Sequence, residues 1–418
     1  MPTPQLADSY RDFSKPVESP AHLTRASLTI TQVGGNENPK ERLARLVIER
    51  VQSEGGSDPH LDTSAFAVRY NGSAVLPLDH LLRDTADASE LDLESHVAHF
   101  VATTMSSNGW PGNWNDALPR LRPVLKPSTY TLGSPSGLLL SRRVFPLVDE
   151  LVVVDMPAHR EVVSWETIGK WGVDPSTVFA AARSNLATIT QHADPTKGRA
   201  TQRLVDKGGQ YFTSWLLDPG WLQSHRRRFG CAPVAFVPDV DTLYVVPSDD
   251  SALLARHFRL IEDQYTHTSR SLSPQAYTVD DAGTVVTYDQ VRPEDPGSSR
   301  ARCVHIAKEY AAQESWLTRQ YELDRISSDV AAATVKATSF GPRTVTIWAD
   351  GVDCTLPQTD LVAFYRDGSP PFYVQFEDVS SITGMRPMDG LDPVRYRVPA
   401  WPPAGIVEQL RAHSISID

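Results

Sequence analysis

The sequence predicts an α+β fold of two to three modules, in which hairpin-based antiparallel sheets are covered by helices; a doubly wound parallel sheet is not expected. Three observations carry this reading. Two segments, AFAVRY-NG-SAVLP (65–77) and PVAFVP-DVD-TLYVVP (233–247), are apolar runs joined by tight turns, and Asn71-Gly72 is a strong hairpin signal. Each is followed by a segment whose apolar residues recur at helical spacing. The 32 prolines and 24 glycines punctuate the chain too often for a bundle of long helices.

The 418 residues, at about 150 per domain, correspond to two or three domains. Residues 1–38 mix Pro, Ser, Thr and Gly without a period and read as an irregular arm, with one short strand at Leu28-Thr29-Ile30. Pro39 opens a helix striped by Leu43, Leu46, Val47 and Val51 and stopped by Gly55-Gly56. After the first hairpin, Asp92 is placed to cap a helix carrying Val97, Phe100, Val101 and Met105. Apolar strands follow around Leu138-Leu139-Leu140 and Leu151-Val152-Val153-Val154. Two helices come next, one opened by Ser164 and one by Asp174-Pro175.

The second hairpin leads into a helix over 251–265 with Leu254, Phe258, Ile261 and Tyr265 on one stripe. QVRPEDPGSSR (290–300) reads as a linker. Beyond it a helix over 304–325 precedes strands at TVTIWA (344–349), DLVAFY (360–365) and PFYVQFE (371–377), read as an antiparallel sheet, and a closing helix over 404–413. The resulting domains are the arm 1–38, an α+β region 39–290 with a sub-division near 190–210, and a C-terminal module 300–418. The repeated order of hairpin and helix in 65–105 and 233–265 raises an internal duplication.

Composition excludes several classes. Forty basic against 51 acidic side chains leave a net charge of −11, which disfavours nucleic acid as a partner. No apolar run reaches the ~18 residues of a membrane helix; VFPLVDELVVVDMP (144–157) is broken by Pro146, Asp149, Glu150 and Asp155. The opening MPTPQLADSYRDF has neither the basic start nor the apolar core of a secretory signal, and Cys231, Cys303 and Cys354 are an odd, scattered set. Both point to the cytoplasm and to free thiols.

The order LPRLRPVL (118–125), SPSGLLLSR (134–142), LVVVDMP (151–157) and a helix ending in Ala182-Arg183-Ser184-Asn185-Leu186 resembles the bacterial YtpQ-like family. PVAFVPDVDTLYVV, with Pro238, Asp241 and Leu243, is similar to that family's second hairpin, and PLDHLL (77–82) to its early Leu-Asp segment. The resemblance spans roughly 60–290 and implies a bacterial, cytoplasmic α+β protein. The family is a domain of unknown function, so no catalytic residue carries over. Asp239-Val240 departs from the polar or basic pair expected there, and the C-terminal module lies outside the family core.

No motif in the chain declares a chemistry. There is no GxxxxGK[ST], no GxGxxG between strand and helix, no HExxH, no CxxC and no GxSxG. His96 and His99 lie off the apolar face of their helix and read as solvated. His305 is two residues from Cys303, a spacing that does not face on a helix. The acidic set Asp239, Asp241, Asp249 and Asp250 has the oxygen chemistry of a divalent-cation site, although Asp is equally at home in turns and at helix starts.

Two basic-aromatic features are binding candidates. Arg226, Arg227 and Arg228 follow Trp215 and Trp221 in a stretch (196–230) with seven Lys/Arg against two Asp, and Arg120 and Arg122 follow Trp110 and Trp114. The reading that results is a cytoplasmic binding or interaction protein without catalysis or cofactor, taking a protein partner or a small ligand. The competing reading is a metal-dependent hydrolase or transferase built on the acidic cluster at 239–250.

Overall fold

The computed structural model describes residues 38–417 except 64–65, 72–73, 79–80, 83–84, 86–89, 106–109, 134–137, 157–159 and 192–199. The predicted arm and its strand at 28–30 therefore lie outside the described residues. The fold is α+β throughout. The chain divides into two compact units between Met105 and Ser106. The division thus falls well before the segment read as a linker, and residues 290–300 are interior to the second unit.

In the first unit, helix α1 (Pro39–Ser53) is capped by the Asn38 side chain, which accepts from the Lys40 amide. Strands β1 (His60–Asp62), β2 (Ala67–Tyr70) and β3 (Ala74–Pro77) form an antiparallel sheet in that order. Asn71 enters the hairpin turn at φ +49°, the left-handed conformation that makes Asn a favoured residue there. Helix α2 (Glu90–Met105) packs on α1. It starts two residues before Asp92, which is inside its first turn rather than its cap. Leu43, Val47, Val51, Val68, Leu76 and Val101 form the core.

The second unit opens with α3 (Trp114–Ala117) and a sheet of β4 (Leu121–Pro127), β5 (Ser141–Phe145), β6 (Val148–Asp155) and β7 (Arg160–Val162). Strand β6 is central and pairs antiparallel with the other three. Helices α4 (Trp165–Trp171) and α5 (Pro175–Thr190) cover it, capped by Ser164 and Asp174 as their sequences predict. Buried in β6, Glu150 has both carboxylate oxygens engaged. Arg142 donates to it from β5 at 2.7 Å, and Arg183 of α5 donates at 2.7–3.2 Å. Asn185 donates to the carbonyls of Leu118 and Leu121. The polar residues of the Ala182–Leu186 motif are thus clamps between helix and sheet.

A five-stranded antiparallel sheet follows, in the order β12-β11-β9-β10-β8. It comprises β8 (Gln202–Val205), β9 (Pro233–Asp239), β10 (Thr242–Pro247), β11 (Ser271–Val279) and β12 (Val285–Thr287). Period-two alternation divides its side chains between two cores. Ala235, Val237, Leu243 and Val245 face one, which includes α6 (Pro219–Phe229), and Val234, Phe236, Tyr244 and Val246 face the other. Helix α7 (Ser251–His267) covers the second face, and a short helix α8 (Tyr288–Val291) follows β12.

Helix α9 (Pro296–Asp324) runs for 29 residues. It begins inside the segment expected to be a linker, for identifiable reasons. The Asp295 side chain caps it by accepting from the Ser298 amide, and Pro296 occupies a position that has no need of an N–H. Gly297 lets the helix approach α7, since a Cβ there would come within 2.5 Å of the Phe258 ring. The buried residues of α9 are largely polar, among them His305, Glu309, Tyr310 and Gln313.

The remaining strands are β13 (Asp329–Val330), β14 (Thr334–Thr338), β15 (Gly341–Ala349), β16 (Cys354–Pro357), β17 (Leu361–Tyr365), β18 (Phe372–Gln375) and β19 (Arg395–Val398), with helices α10 (Phe376–Thr383) and α11 (Ala404–Ala412). They form a β14-β15-β17-β18 sheet and a β13-β16-β19 sheet. Neither is purely antiparallel, contrary to expectation: β15 pairs parallel with β17, and β13 with β16. The chain leaves β15, contributes β16 to the other sheet, and returns to β17, a crossover that a parallel pair requires.

Arg395, fully buried, binds this region to α9. Its Nε donates to Gln313 Oε1 at 2.6 Å, and its terminal nitrogens donate to the carbonyls of Ala331, Thr355 and Tyr310 at 2.8–3.2 Å. Burial lowers its pKa to about 10. His305, also fully buried, accepts at Nδ1 from Gln275 Nε2 at 2.8 Å. Burial and then the nearby charge of Arg143 push its pKa down to about 3.

Two outcomes are expected. Arg395→Met leaves four oxygens without their donor and should destabilise the second unit by about 3–5 kcal/mol in urea unfolding followed by tryptophan fluorescence. Because unfolded His305 takes up a proton near pH 6.5 and the folded residue does not until about 3, its contribution to stability is complete above pH 6.5 and declines as pH falls. From pH 6.5 to 4.5 the wild type should lose about 2.3 kcal/mol more than His305→Gln, with the slope approaching about 1.4 kcal/mol per pH unit at the acid end. Equal slopes for the two proteins would show that this histidine is not held neutral.

Candidate functional site

The second unit contains a cleft of about 910 Å³ where β11, α8 and α9 meet the β14–β18 sheet. Each wall has a simple local origin. Gln275 reaches the cleft from β11, within the bulge between Ser273 and Ala276, and its carboxamide nitrogen is oriented by His305. Asp289 and Gln290 come from the short helix α8, and Arg302, Ile306 and Tyr310 lie on α9 at spacings that share one face. Phe340, Arg343 and Thr344 come from the β14–β15 turn and β15, and Gln358, Thr359 and Asp360 from the entry to β17.

Electrostatically the cleft is mixed. Asp360 is saturated: it accepts from the Thr344 amide at 2.7 Å and its hydroxyl at 2.8 Å, and pairs with Arg302 at 3.0 Å. Arg143 donates to Asp149 at 2.6 Å and pairs with Asp392, which closes one end of the cleft. Three charged groups of the lining stand apart from these pairs: the exposed Glu377 at the start of α10, Arg343 and Asp289. Arg343 donates to its neighbour's carbonyl, Pro342 O, at 2.9 Å, and has no carboxylate within ion-pair distance among the described residues. Asp289 has a buried oxygen without a hydrogen-bond partner and forms no ion pair among the described residues.

Cys303, next to this wall, is not a nucleophile in waiting. Its thiol is buried, lies 3.5 Å from Pro342 O, and has its pKa pushed up to about 11 by burial. Cys354 is pushed up to about 11 for the same reason, and all three cysteines are free.

None of the residues singled out from sequence lines this cleft. Trp110 and Trp114 pack on Trp171, with ring centroids 6.2 and 6.1 Å apart, and the Trp171 indole donates to Pro111 O. Arg120 reaches Met156 Sδ at 3.9 Å, and Arg122 donates to the carbonyls of Pro119 and Leu121. Arg226 and Arg227 are exposed in the last turn of α6, where cations complement the helix dipole. Arg228 donates to Gln202 Oε1 and Ala200 O.

The acidic set is not assembled. Asp239 accepts from the amides of Asp241 and Thr242 and from Gln264, and Asp241 pairs with Arg270. At the other end of β10, six residues or roughly 20 Å away, Asp249 accepts from Cys231 and Asp250 caps α7. Among the described residues no three His, Cys, Asp or Glu side chains converge as metal ligands. Among the same residues, no helix is long and apolar enough to cross a membrane.

The residues of the cleft were open to sequence reading only as scattered glutamines, arginines and aspartates on six elements, with no spacing to connect them. Comparison with protein families, with curated proteins and with solved structures finds no match for this chain.

Proposed function

We propose that this chain is a binding protein whose ligand is a small polar molecule held in the cleft beside α9. The observation that carries the reading is the cleft itself. Its volume of about 910 Å³ lies in the range of small-molecule sites, and it combines apolar walls such as Phe340 and Leu361 with a few oriented polar groups, Gln275 and Thr344 among them. Polar side chains in such a site confer orientation and specificity, and apolar ones contribute most of the affinity. The free thiols fit a reducing compartment, and a cytoplasmic setting is part of the proposal. So is the kinship with the YtpQ-like family, supported by the motifs that form β6 and the β9–β10 hairpin.

The test is a thermal-shift screen of a defined panel (amino acids, short peptides, sugar phosphates, nucleosides and dicarboxylates) on the wild type and on Gln358→Trp. Gln358 is exposed on the cleft wall, so the indole fills the space without displacing core. At least one compound should raise the wild-type midpoint by several degrees and leave the variant's unchanged. A panel that shifts neither protein, or both equally, overturns the reading.

A further inference from the structure

From the lining of the cleft we infer that its ligand is a short peptide with free termini, two to four residues long; this rests on the binding reading above. The first argument is charge. Arg302 and Arg143 are already matched by Asp360, Asp149 and Asp392, so they add little net attraction for a ligand. That leaves one cation, Arg343, and two anions, Asp289 and Glu377, without an ion-pair partner among the described residues; Glu377 is exposed to water, whereas Asp289 has a buried oxygen with no hydrogen-bond partner, so Arg343 and Asp289 are the two charges that a ligand in the cleft would meet. They share one neighbourhood: Asp289 acts electrostatically on Arg302, and Arg343 on the adjacent Cys303. A ligand that satisfies both carries an ammonium and a carboxylate. A sugar phosphate or dicarboxylate would satisfy Arg343 and be repelled by Asp289, and a nucleoside would address neither.

The second argument is hydrogen bonding between the charged ends. Four glutamines line the cleft, Gln275, Gln290, Gln358 and Gln375. A carboxamide presents a donor pair and an acceptor on one planar group, which matches the N–H and C=O of a peptide unit. The third is size. A single amino acid leaves most of about 910 Å³ unfilled, whereas a few residues fill it and bring side chains to Phe340, Ile306 and Leu361. The fit assigns the peptide's ammonium to Asp289 and its carboxylate to Arg343.

Isothermal titration with Ala-Leu-Ala, its N-acetyl form and its C-terminal amide tests the assignment. Free Ala-Leu-Ala should bind wild type, and each blocked form should bind roughly 10- to 100-fold more weakly, the weight of one charge-assisted contact. Asp289→Asn should lose the preference for the free over the acetylated peptide and keep that for the free over the amidated one. Arg343→Gln should show the converse. Equal binding of all three peptides to wild type overturns the inference whether or not the variants fold. So does a variant that weakens all three alike. If Ala-Leu-Ala is silent while another panel member binds wild type but not Gln358→Trp, the peptide is wrong and the cleft stands; if nothing binds, both fail.

Discussion

A guanidinium cut off from water persists only where enough oxygens surround it, and Arg395 draws its four from separate stretches of chain: Gln313 and Tyr310 on α9, Ala331 beyond β13, and Thr355 in β16. Among the described residues no carboxylate lies within ion-pair distance of it, and Glu314 acts on it only at longer range. The bonds go to a carboxamide and to backbone carbonyls, groups that cannot titrate away and that are themselves fixed by helix and sheet. The position of β19 relative to α9 is therefore determined by hydrogen-bond geometry rather than by apolar packing alone. Breaking it leaves several buried polar groups unpaired at once.

The same constraint explains the unusual character of α9. A helix covered on several sides would ordinarily bury apolar residues, yet this one buries His305, Glu309, Tyr310 and Gln313. Each has a partner outside the helix: Gln275 on β11 for His305, Ser128 and Thr129 for Glu309, and the adjacent carbonyls of Val394 and Pro393 for the Tyr310 hydroxyl and Gln313. Burial raises the pKa of Glu309 against the pull of the three hydrogen bonds it accepts, so this seam has its own electrostatic cost. The cleft opens where the seam reaches the surface, at Arg302, Ile306 and Tyr310, which is why its walls mix charge, carboxamide and hydrocarbon.

Legibility in the sequence followed the range of the interaction. The hairpins of 67–77 and 233–247 and the helix starts at Ser164, Asp174 and Asp250 were readable, because turn chemistry and capping act within about four residues. Helix α9 was not fully readable. Its first turn, Pro296-Gly297-Ser298, has the composition of a linker, and its polar buried residues leave no apolar stripe to mark the rest. The parallel pairing of β15 with β17 has no local signature either, since it depends on where β16 goes in between. Strand β11, buried along nearly all its length, likewise lacks the alternation that marks a one-sided strand. Among the site candidates, Trp110 and Trp114 show a limit of composition: aromatic residues beside arginines suit recognition or packing alike, and only the fold brings Trp171 against them.

By itself, then, the sequence determined the fold class, most of the hairpins and capped helices, and the turn-forming and capping alternatives for Asp239 and Asp250, because those rest on contacts between near neighbours. The tertiary structure alone decided the break between Met105 and Ser106, the mixed C-terminal sheets and the cleft. The physical reason is distance along the chain. Gln275, Asp289, Arg302, Arg343 and Asp360 span 85 positions and meet only because α9 carries its wall across from one sheet to another. The charge balance of such a site exists in the folded chain and nowhere in its local spacing.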